Sequence, residues 1–263
     1  LKQINDTYAS DANISYIAGS LAVRIDSLSL SKRFFDKFLV NRDTIPEVYL
    51  QISFEYMRNK KMDYAAAFLN DAYNKFPSDT RFPLYISNIY LMNGNYEKSY
   101  EIAYPAFLKD TANIELLILV CNYYEHSNNE TEAIRLYEYA LTIAPNNPLI
   151  NNNYAYLLAR DSSNLDRANI MINKALELEP DNSAYLDTFA WVLYRQGDYN
   201  KALEIILKAL KNNDAGAEVF DHLGDIYIGL NRISDAKQAW EQALVLDPNI
   251  GGVREKIKKL SDK

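Results

Sequence analysis

The stretch Ser183–Ile250 consists of two consecutive blocks of 34 residues, SAYLDTFAWVLYRQGDYNKALEIILKALKNNDAG (183–216) and AEVFDHLGDIYIGLNRISDAKQAWEQALVLDPNI (217–250). When the blocks are aligned, small residues coincide at three places: Ala190 with Gly224, Ala202 with Ala236, and Ala209 with Ala243. A fixed period of this length indicates stacked structural repeats, each of which contacts its neighbours.

The same period extends through the chain and places small residues at two positions in each of seven blocks. The first position holds Gly19, Ser53, Ser87, Cys121, Ala155, Ala190 and Gly224. The second holds Ser31, Ala65, Ser99, Ala133, Ala168, Ala202 and Ala236. The spacing is 34 residues, except for one step of 35 in each column. Because two antiparallel helices approach closely only where side chains are small, each block is predicted to be a helix–turn–helix unit.

The last block carries the most complete pattern, which consists of Phe220, Leu223, Gly224, Tyr227, Ala236, Trp240, Ala243 and Pro248. This pattern resembles the tetratricopeptide repeat (TPR), which runs W-x2-L-G-x2-Y, A-x3-F, a further Ala and a closing Pro. The resemblance covers nearly the whole chain and is strongest to bacterial TPR proteins, a functionally broad group. It implies an all-α fold, a right-handed α-solenoid of about seven TPR-like repeats with a capping helix at its C-terminal end.

The period also divides the chain into repeats. The predicted repeats are 12–45, 46–79, 80–113, 114–147, 148–182, 183–216 and 217–250. The one-residue insertion falls within 160–164, between the two helices of the fifth repeat, where a turn accommodates an extra residue at little cost.

Both ends of the chain are predicted to be helical but not to be repeats. Residues 251–263 are expected to form the capping helix, with an apolar side made of Val253, Ile257 and Leu260. Residues 1–11 have apolar residues at helical spacing and are interpreted as the end of a preceding helix. We therefore expect the repeat array, or another helical element, to continue upstream.

The composition narrows the classes of function. The 263 residues include 28 Lys and Arg against 35 Asp and Glu, a net charge of −7, which disfavours nucleic-acid binding. The 48% of hydrophobic residues suffices for a buried core, but no apolar run reaches the length of about 20 residues needed for direct membrane insertion. The single cysteine, Cys121, excludes an internal disulfide framework.

Catalytic and metal-binding patterns are missing from the sequence. It contains neither a glycine-rich phosphate loop nor a G-x-S-x-G motif. The two histidines, His126 and His222, are three repeats apart and so cannot share a metal where each repeat contacts only its neighbours. The sequence therefore predicts a protein that is not an enzyme and that holds no metal or cofactor.

The candidate binding residues lie on the first helices of the repeats, which line the concave groove in TPR-like arrays. They are Asn88, Asn122, Asn153, Tyr156, Arg160, Asp187, Trp191, Tyr194 and Arg195. Asparagine amides both donate and accept hydrogen bonds, so they can orient the backbone of an extended peptide. Tyr, Trp and Arg are the residue types enriched at binding hot spots. In the alternative interpretation, the aromatic residues pack between adjacent first helices, and the arginines are solvated or paired with Asp187.

One subgroup of the family gives a useful contrast. The chaperone-binding TPR domains use a carboxylate clamp made of lysines, asparagines and an arginine. This chain has Leu84, Ile118, Asn152 and Asp187 where a clamp lysine is sought at the midpoint of the first helix. The sequence thus disfavours the capture of a chaperone's C-terminal carboxylate.

These observations predict a non-catalytic scaffold or adaptor that binds a peptide or helix of a partner protein in the concave groove. Two alternatives stay open: a structural protein that self-associates through its repeat ends, and the regulatory TPR part of a larger protein. The start without Met and the Asn- and Tyr-rich composition suit the periplasmic side of a bacterial cell envelope. A cytoplasmic protein would have a similar composition.

Overall fold

The computed structural model describes residues 12–211 and 215–261, and all regular secondary structure in these ranges is helical. The α-helices are α1 Ala12–Arg24, α2 Leu28–Leu39, α3 Pro46–Arg58, α4 Met62–Lys75, α5 Arg81–Met92, α6 Tyr96–Lys109, α7 Ile114–His126, α8 Glu130–Ile143, α9 Pro148–Leu158, α10 Leu165–Leu178, α11 Ser183–Arg195, α12 Tyr199–Ala209, α13 Ala217–Gly229, α14 Ile233–Leu246 and α15 Val253–Ser261. The helix end predicted at 1–11 lies outside the described residues. None of the described helices combines the length and apolar character needed to cross a membrane.

The chain divides into two compact units, and the boundary lies between Asn128 and Asn129. In the first unit, α1 packs on α2, α3 on α4, and α5 on α6. In the second unit, α9 packs on α10, α11 on α12, and α13 on α14. The boundary falls between α7 and α8, inside the predicted repeat 114–147.

A residue with positive φ recurs after the first helix in six of the predicted blocks. These residues are Asp26, Lys60, Gly94, Asn128, Gly197 and Asn231. The left-handed conformation lets a backbone N–H reach back five residues, as from Lys61 to the Tyr56 carbonyl at 2.9 Å. In the fifth block the extra residue replaces this turn with a short 3₁₀ helix, Ser162–Asn164.

The small positions predicted from the period are all buried in the structure, which confirms the close approach of helices. Gly224 shows the cause most directly, because a Cβ at this position would overlap the Trp240 indole of α14. Gly19 has the same relation to the Phe35 ring of α2. In these two repeats, glycine on the first helix makes room for a large aromatic ring on the second.

The capping helix α15 closes the second unit. Val253 is fully buried in a cluster with Ala236 and Trp240, and Ile257 and Leu260 pack against that cluster. The predicted apolar side of the cap is thus confirmed, and its polar side is solvated. This arrangement covers apolar surface of α14 that would otherwise meet water.

Candidate functional site

Seven of the nine predicted site residues lie in the second unit, on or next to its first helices. Asn153 and Tyr156 are on α9, Arg160 follows α9, and Asp187, Trp191, Tyr194 and Arg195 are on α11. Asn88 on α5 and Asn122 on α7 belong to the first unit. The candidate site described below is therefore made of the predicted residues of the second unit.

Trp191 lies at the centre of that assembly. Its ring stacks on Tyr194 of the same helix, with centroids 5.1 Å apart, and on His222 of α13, with centroids 4.5 Å apart. Tyr156 of α9 reaches the same imidazole, with a centroid distance of 6.2 Å. Trp191, Tyr194 and Tyr156 are each partly exposed, whereas His222 is buried. Trp191 thus packs against the next first helix and also presents part of its ring to solvent.

The two arginines border these rings. The Arg195 guanidinium lies 5.9 Å from the centroid of Trp191, and its Nη2 donates to the Arg160 carbonyl at 3.0 Å. The Arg160 guanidinium lies 5.9 Å from the centroid of Tyr156 and 3.9 Å from a Glu130 oxygen. Both cations therefore sit over aromatic faces, an arrangement that stabilises them electrostatically.

Asp187 pairs with His222 and lies beneath the rings. The His222 Nδ1 is 2.9 Å from one carboxylate oxygen and 3.0 Å from the other, and both residues are 7% exposed. Burial alone would lower the pKa of His222, but the Asp187 carboxylate, with Asp221 and Asp225, outweighs burial and raises this pKa. The pair is therefore an ion pair over a wider pH range than an isolated histidine would allow.

A second pair of the same kind follows one repeat later. Lys256 of α15 reaches Asp221 and Asp225 of α13, each at 2.7 Å. These bonds raise the pKa of Lys256 even though burial opposes the shift. Asp187 and His222 are 35 residues apart, and Asp221 and Lys256 are also 35 apart. Asp187 on α11 is thus paired with a cation on α13, and Asp221 and Asp225 on α13 are paired with a cation on α15.

Sequence reasoning missed His222 and Lys256 as parts of this site. Their shared offset of 35 residues from an aspartate was a signal that could have found them. Asp187 was considered as a partner of the arginines, whereas His222 occupies its carboxylate.

Two of the three predicted asparagines use part of their hydrogen-bonding capacity within the chain. Asn88 Nδ2 donates to the Leu84 carbonyl of its own helix at 2.9 Å. Asn153 Oδ1 accepts from Asn152 Nδ2 at 3.1 Å. In residues 12–211 and 215–261, no three His, Cys, Asp or Glu side chains are grouped so that they could hold a metal ion.

The sequence is similar to one protein family and to several repeat proteins. Residues 161–243 match the family described as anaphase-promoting complex, cyclosome, subunit 3. The TPR repeat-containing protein PA4667 of Pseudomonas aeruginosa is 27% identical over 167 residues, which are 63% of this chain and 28% of that protein. The chain thus spans less than a third of the length of this relative.

Solved structures match over most of the chain. A tetratricopeptide repeat protein from Parabacteroides merdae ATCC 43184 has a TM-score of 0.74 at 14% identity, covering 96% of this chain and 99% of that one. The APC/C hetero-tetramer Cut9–Hcn1 gives a TM-score of 0.69 at 17% identity, covering 94% of this chain and 47% of the matched chain. These likenesses show the fold, an all-α repeat solenoid. Together with the period and motif of the sequence, the sequence and structure matches support a tetratricopeptide repeat protein.

Proposed function

We propose that the chain is a non-catalytic scaffold or adaptor whose second unit binds a peptide or helix of a partner protein along α9, α11 and α13. TPR proteins generally mediate protein–protein interactions and scaffolding. The finer assignment to this surface and this kind of segment is our inference from the site geometry.

One observation carries the proposal: two successive first helices, α9 and α11, contribute aromatic rings to one partly exposed surface, which packs on the buried His222 ring of α13. We call it the aromatic surface and define it as Tyr156, Arg160, Trp191, Tyr194 and Arg195. These residue types dominate measured binding hot spots, because they combine a large apolar area with a polar or charged end. Three carboxylates near the surface, those of Asp187, Asp221 and Asp225, are paired with His222 and Lys256. The surface therefore offers its partly exposed rings to a partner, with the guanidinium groups of Arg160 and Arg195 at their edges.

The assignment as non-catalytic rests on the chemistry of the most nucleophilic side chain. Cys121 is fully buried, and this burial, with a smaller effect of Glu125, raises the pKa of its thiol well above the ordinary value. A buried neutral thiol is a poor nucleophile. His126 and His222 belong to different units.

The proposal is tested by measuring the affinity of a natural partner. The chain serves as bait in a lysate of its source, and the binding segment of the captured protein is synthesised as a peptide. Its Kd is measured by calorimetry against the intact chain and against Trp191→Ala combined with Tyr194→Ala. We expect the double variant to bind about 30-fold more weakly, the loss that truncation of a hot spot typically causes.

Tyr139→Ala provides a matched control, because Tyr139 is an exposed aromatic residue on α8, a helix of the same unit that carries none of the aromatic surface. This variant should bind the peptide as tightly as the intact chain, and circular dichroism should show equal helicity for all three proteins. An unchanged Kd for the double variant, or an equal loss with Tyr139→Ala, would overturn the proposal.

A second candidate, self-association, is favoured by exposed apolar residues on α1 and directly after it. Ile17, Leu21 and Ile25 recur one turn apart and are 58%, 40% and 64% exposed. At the position of Leu21, four later first helices have a buried apolar residue: Ile89, Leu157, Val192 and Ile226. Light scattering tests this candidate, since Leu21→Asp should reduce the mass of any dimer that forms. A monomer at all concentrations would exclude it.

A further inference from the structure

The Trp191 indole stacks on the His222 imidazole, which is itself hydrogen-bonded to the Asp187 carboxylate. The rings of Trp191 and His222 are inclined by 23° with centroids 4.5 Å apart, so the imidazole covers one face of the indole. The His222 Nδ1 faces both oxygens of Asp187, which fixes the ring plane. The position of Trp191 therefore depends on His222, and the position of His222 depends on Asp187.

We propose that His222 is a positioning residue for Trp191 and that its protonation makes the aromatic surface responsive to pH. The link to partner binding rests on the proposed function, whereas the link between His222 and Trp191 does not. In its protonated form His222 makes a charged hydrogen bond to Asp187 and a cation–π contact with Trp191. The neutral form loses the cation–π contact and leaves the buried carboxylate with an uncharged partner.

The charges around His222 come from three helices. Asp187 faces it from α11, Asp221 and Asp225 act on it from its own helix α13, and Lys256 reaches from α15. Because Lys256 bonds both Asp221 and Asp225, the nearest uncompensated carboxylate is Asp187. The aromatic neighbours are Trp191 from α11 and Tyr156 from α9. The balance of these charges favours the protonated imidazole, in line with its raised pKa.

The position equivalent to His222 one repeat later is Lys256, which does not titrate near neutral pH. Lys256 stands 35 residues after Asp221, as His222 stands 35 after Asp187, and lysine keeps its charge throughout the neutral range. Lys256 also lies over an indole, with its Nζ 5.7 Å from the Trp240 centroid. Because residue 222 is histidine and not lysine, the charge of the Asp187–His222 pair changes with pH, whereas that of the Asp221–Lys256 pair does not.

The test is a pH titration of the full chain by NMR, without any partner. The chain has two histidines and two tryptophans, so His126→Gln and Trp191→Phe assign the His222 imidazole and the Trp191 indole resonances. Between about pH 5.5 and about pH 9 we expect both resonances to shift with one common midpoint above 6.5, the ordinary histidine value.

Two variants separate positioning from a structural role. Asp187→Asn should lower the His222 midpoint by about one pH unit, and the Trp191 transition should move with it. His222→Lys should keep the charge and remove the Trp191 transition from the neutral range. A Trp191 resonance that does not change through the His222 transition would overturn the proposal, as would an unchanged midpoint in Asp187→Asn.

The outcomes distinguish this inference from the proposed function. Coupled titration together with partner binding that ignores Trp191→Ala and Tyr194→Ala would confirm the positioning by His222 and refute the binding site. Uncoupled titration together with a lost affinity in that double variant would refute the positioning and leave the binding site in place.

Discussion

Each unit buries a carboxylate between first helices, and the two carboxylates are satisfied differently. Glu55 of α3 is 5% exposed; its Oε1 accepts from the Tyr16 hydroxyl of α1 at 3.1 Å and from Arg58 at 3.2 Å. Its Oε2 is buried without a hydrogen-bond partner. Asp187, 7% exposed, has both oxygens facing the His222 Nδ1.

The difference shows what a repeat architecture requires of a buried charge. In four later first helices, the position of Glu55 is occupied by a buried apolar residue: Ile89, Leu157, Val192 and Ile226. Glu55 therefore interrupts a mostly apolar column, and the Arg58 side chain that bonds it is itself 66% exposed. Asp187 instead has a buried cationic partner on the next first helix. We infer that the Asp187 pair stabilises its junction, whereas Glu55 weakens the junction of α1 with α3.

The largest loss of stability is expected when one partner of the Asp187–His222 pair is removed. His222→Ala leaves a buried carboxylate without a counter-charge and opens space beneath Trp191, and it should lower the free energy of unfolding of the second unit by about 3 kcal/mol. Urea unfolding followed by tryptophan fluorescence measures this unit, because Trp191 and Trp240 both lie in it.

A double-mutant cycle supplies the control. Asp187→Ala combined with His222→Ala should be less destabilising than the sum of the single variants, because no charge is then left unpaired. Strict additivity would mean that the two side chains do not stabilise each other.

In the first unit, by contrast, removing the buried carboxylate is expected to increase stability. Glu55→Leu restores the apolar column and removes a buried charge, and it should raise the free energy of the opening that exposes α1 and α3 by about 1 kcal/mol. Hydrogen exchange of the backbone amides in these two helices measures the change. Glu55→Gln is the matched control and should give a smaller gain, since it removes the charge but keeps a polar group. Faster exchange in Glu55→Leu would show that the carboxylate is net stabilising.

The pH dependence of stability should also distinguish the two units. Because the folded-state pKa of His222 lies above its unfolded value of 6.5, the stabilisation is fully present below about pH 6.5 and is lost as pH rises through the folded pKa. The loss in the free energy of unfolding should be about 1.4 kcal/mol if the folded-state pKa lies one pH unit above the unfolded value. Urea unfolding of the second unit at several pH values measures it. His222→Lys should show no decline over this range; a decline of the same size there would assign it to another group.

The smallest effect is expected at the cap. Lys256→Met removes two ion pairs that are partly exposed and the cation over the Trp240 ring, and it keeps an unbranched aliphatic side chain. We expect a loss of about 0.5–1 kcal/mol, measured by the same fluorescence titration. A loss as large as that of His222→Ala would mean that exposure does not distinguish the two pairs.

Much of the fold follows from the period of the sequence, because helix packing demands small residues at fixed places. The burial of Gly224 was predicted in this way, whereas the apolar side of the cap was predicted from its helical spacing. The conformations of the turns were harder to predict from the sequence. Lys60, for example, adopts a positive φ although no glycine is present to indicate it. The 3₁₀ helix Ser162–Asn164 was also not predicted, since the insertion locates an extra residue but not its conformation.

The candidate site was predicted in part. The grouping of Trp191 with Tyr194 followed from helical spacing, and the structure stacks the two rings. The pairing of Asp187 with His222 did not follow, because it depends on how far one first helix is rotated against the next. A period identifies which residues are equivalent in two repeats, but it does not state which of them touch. The same limit hid the contact of Glu55 with Tyr16.

The most direct test of the central claim places a photo-crosslinking residue, benzoylphenylalanine, at a single position. At Tyr194 it lies in the aromatic surface; at Tyr139, on α8, it provides an exposed aromatic control in the same unit. After irradiation with the captured partner, we expect a covalent adduct from position 194 and none from position 139. An adduct from position 139 alone, or equal adducts from both, would contradict the claim that the partner binds at the aromatic surface.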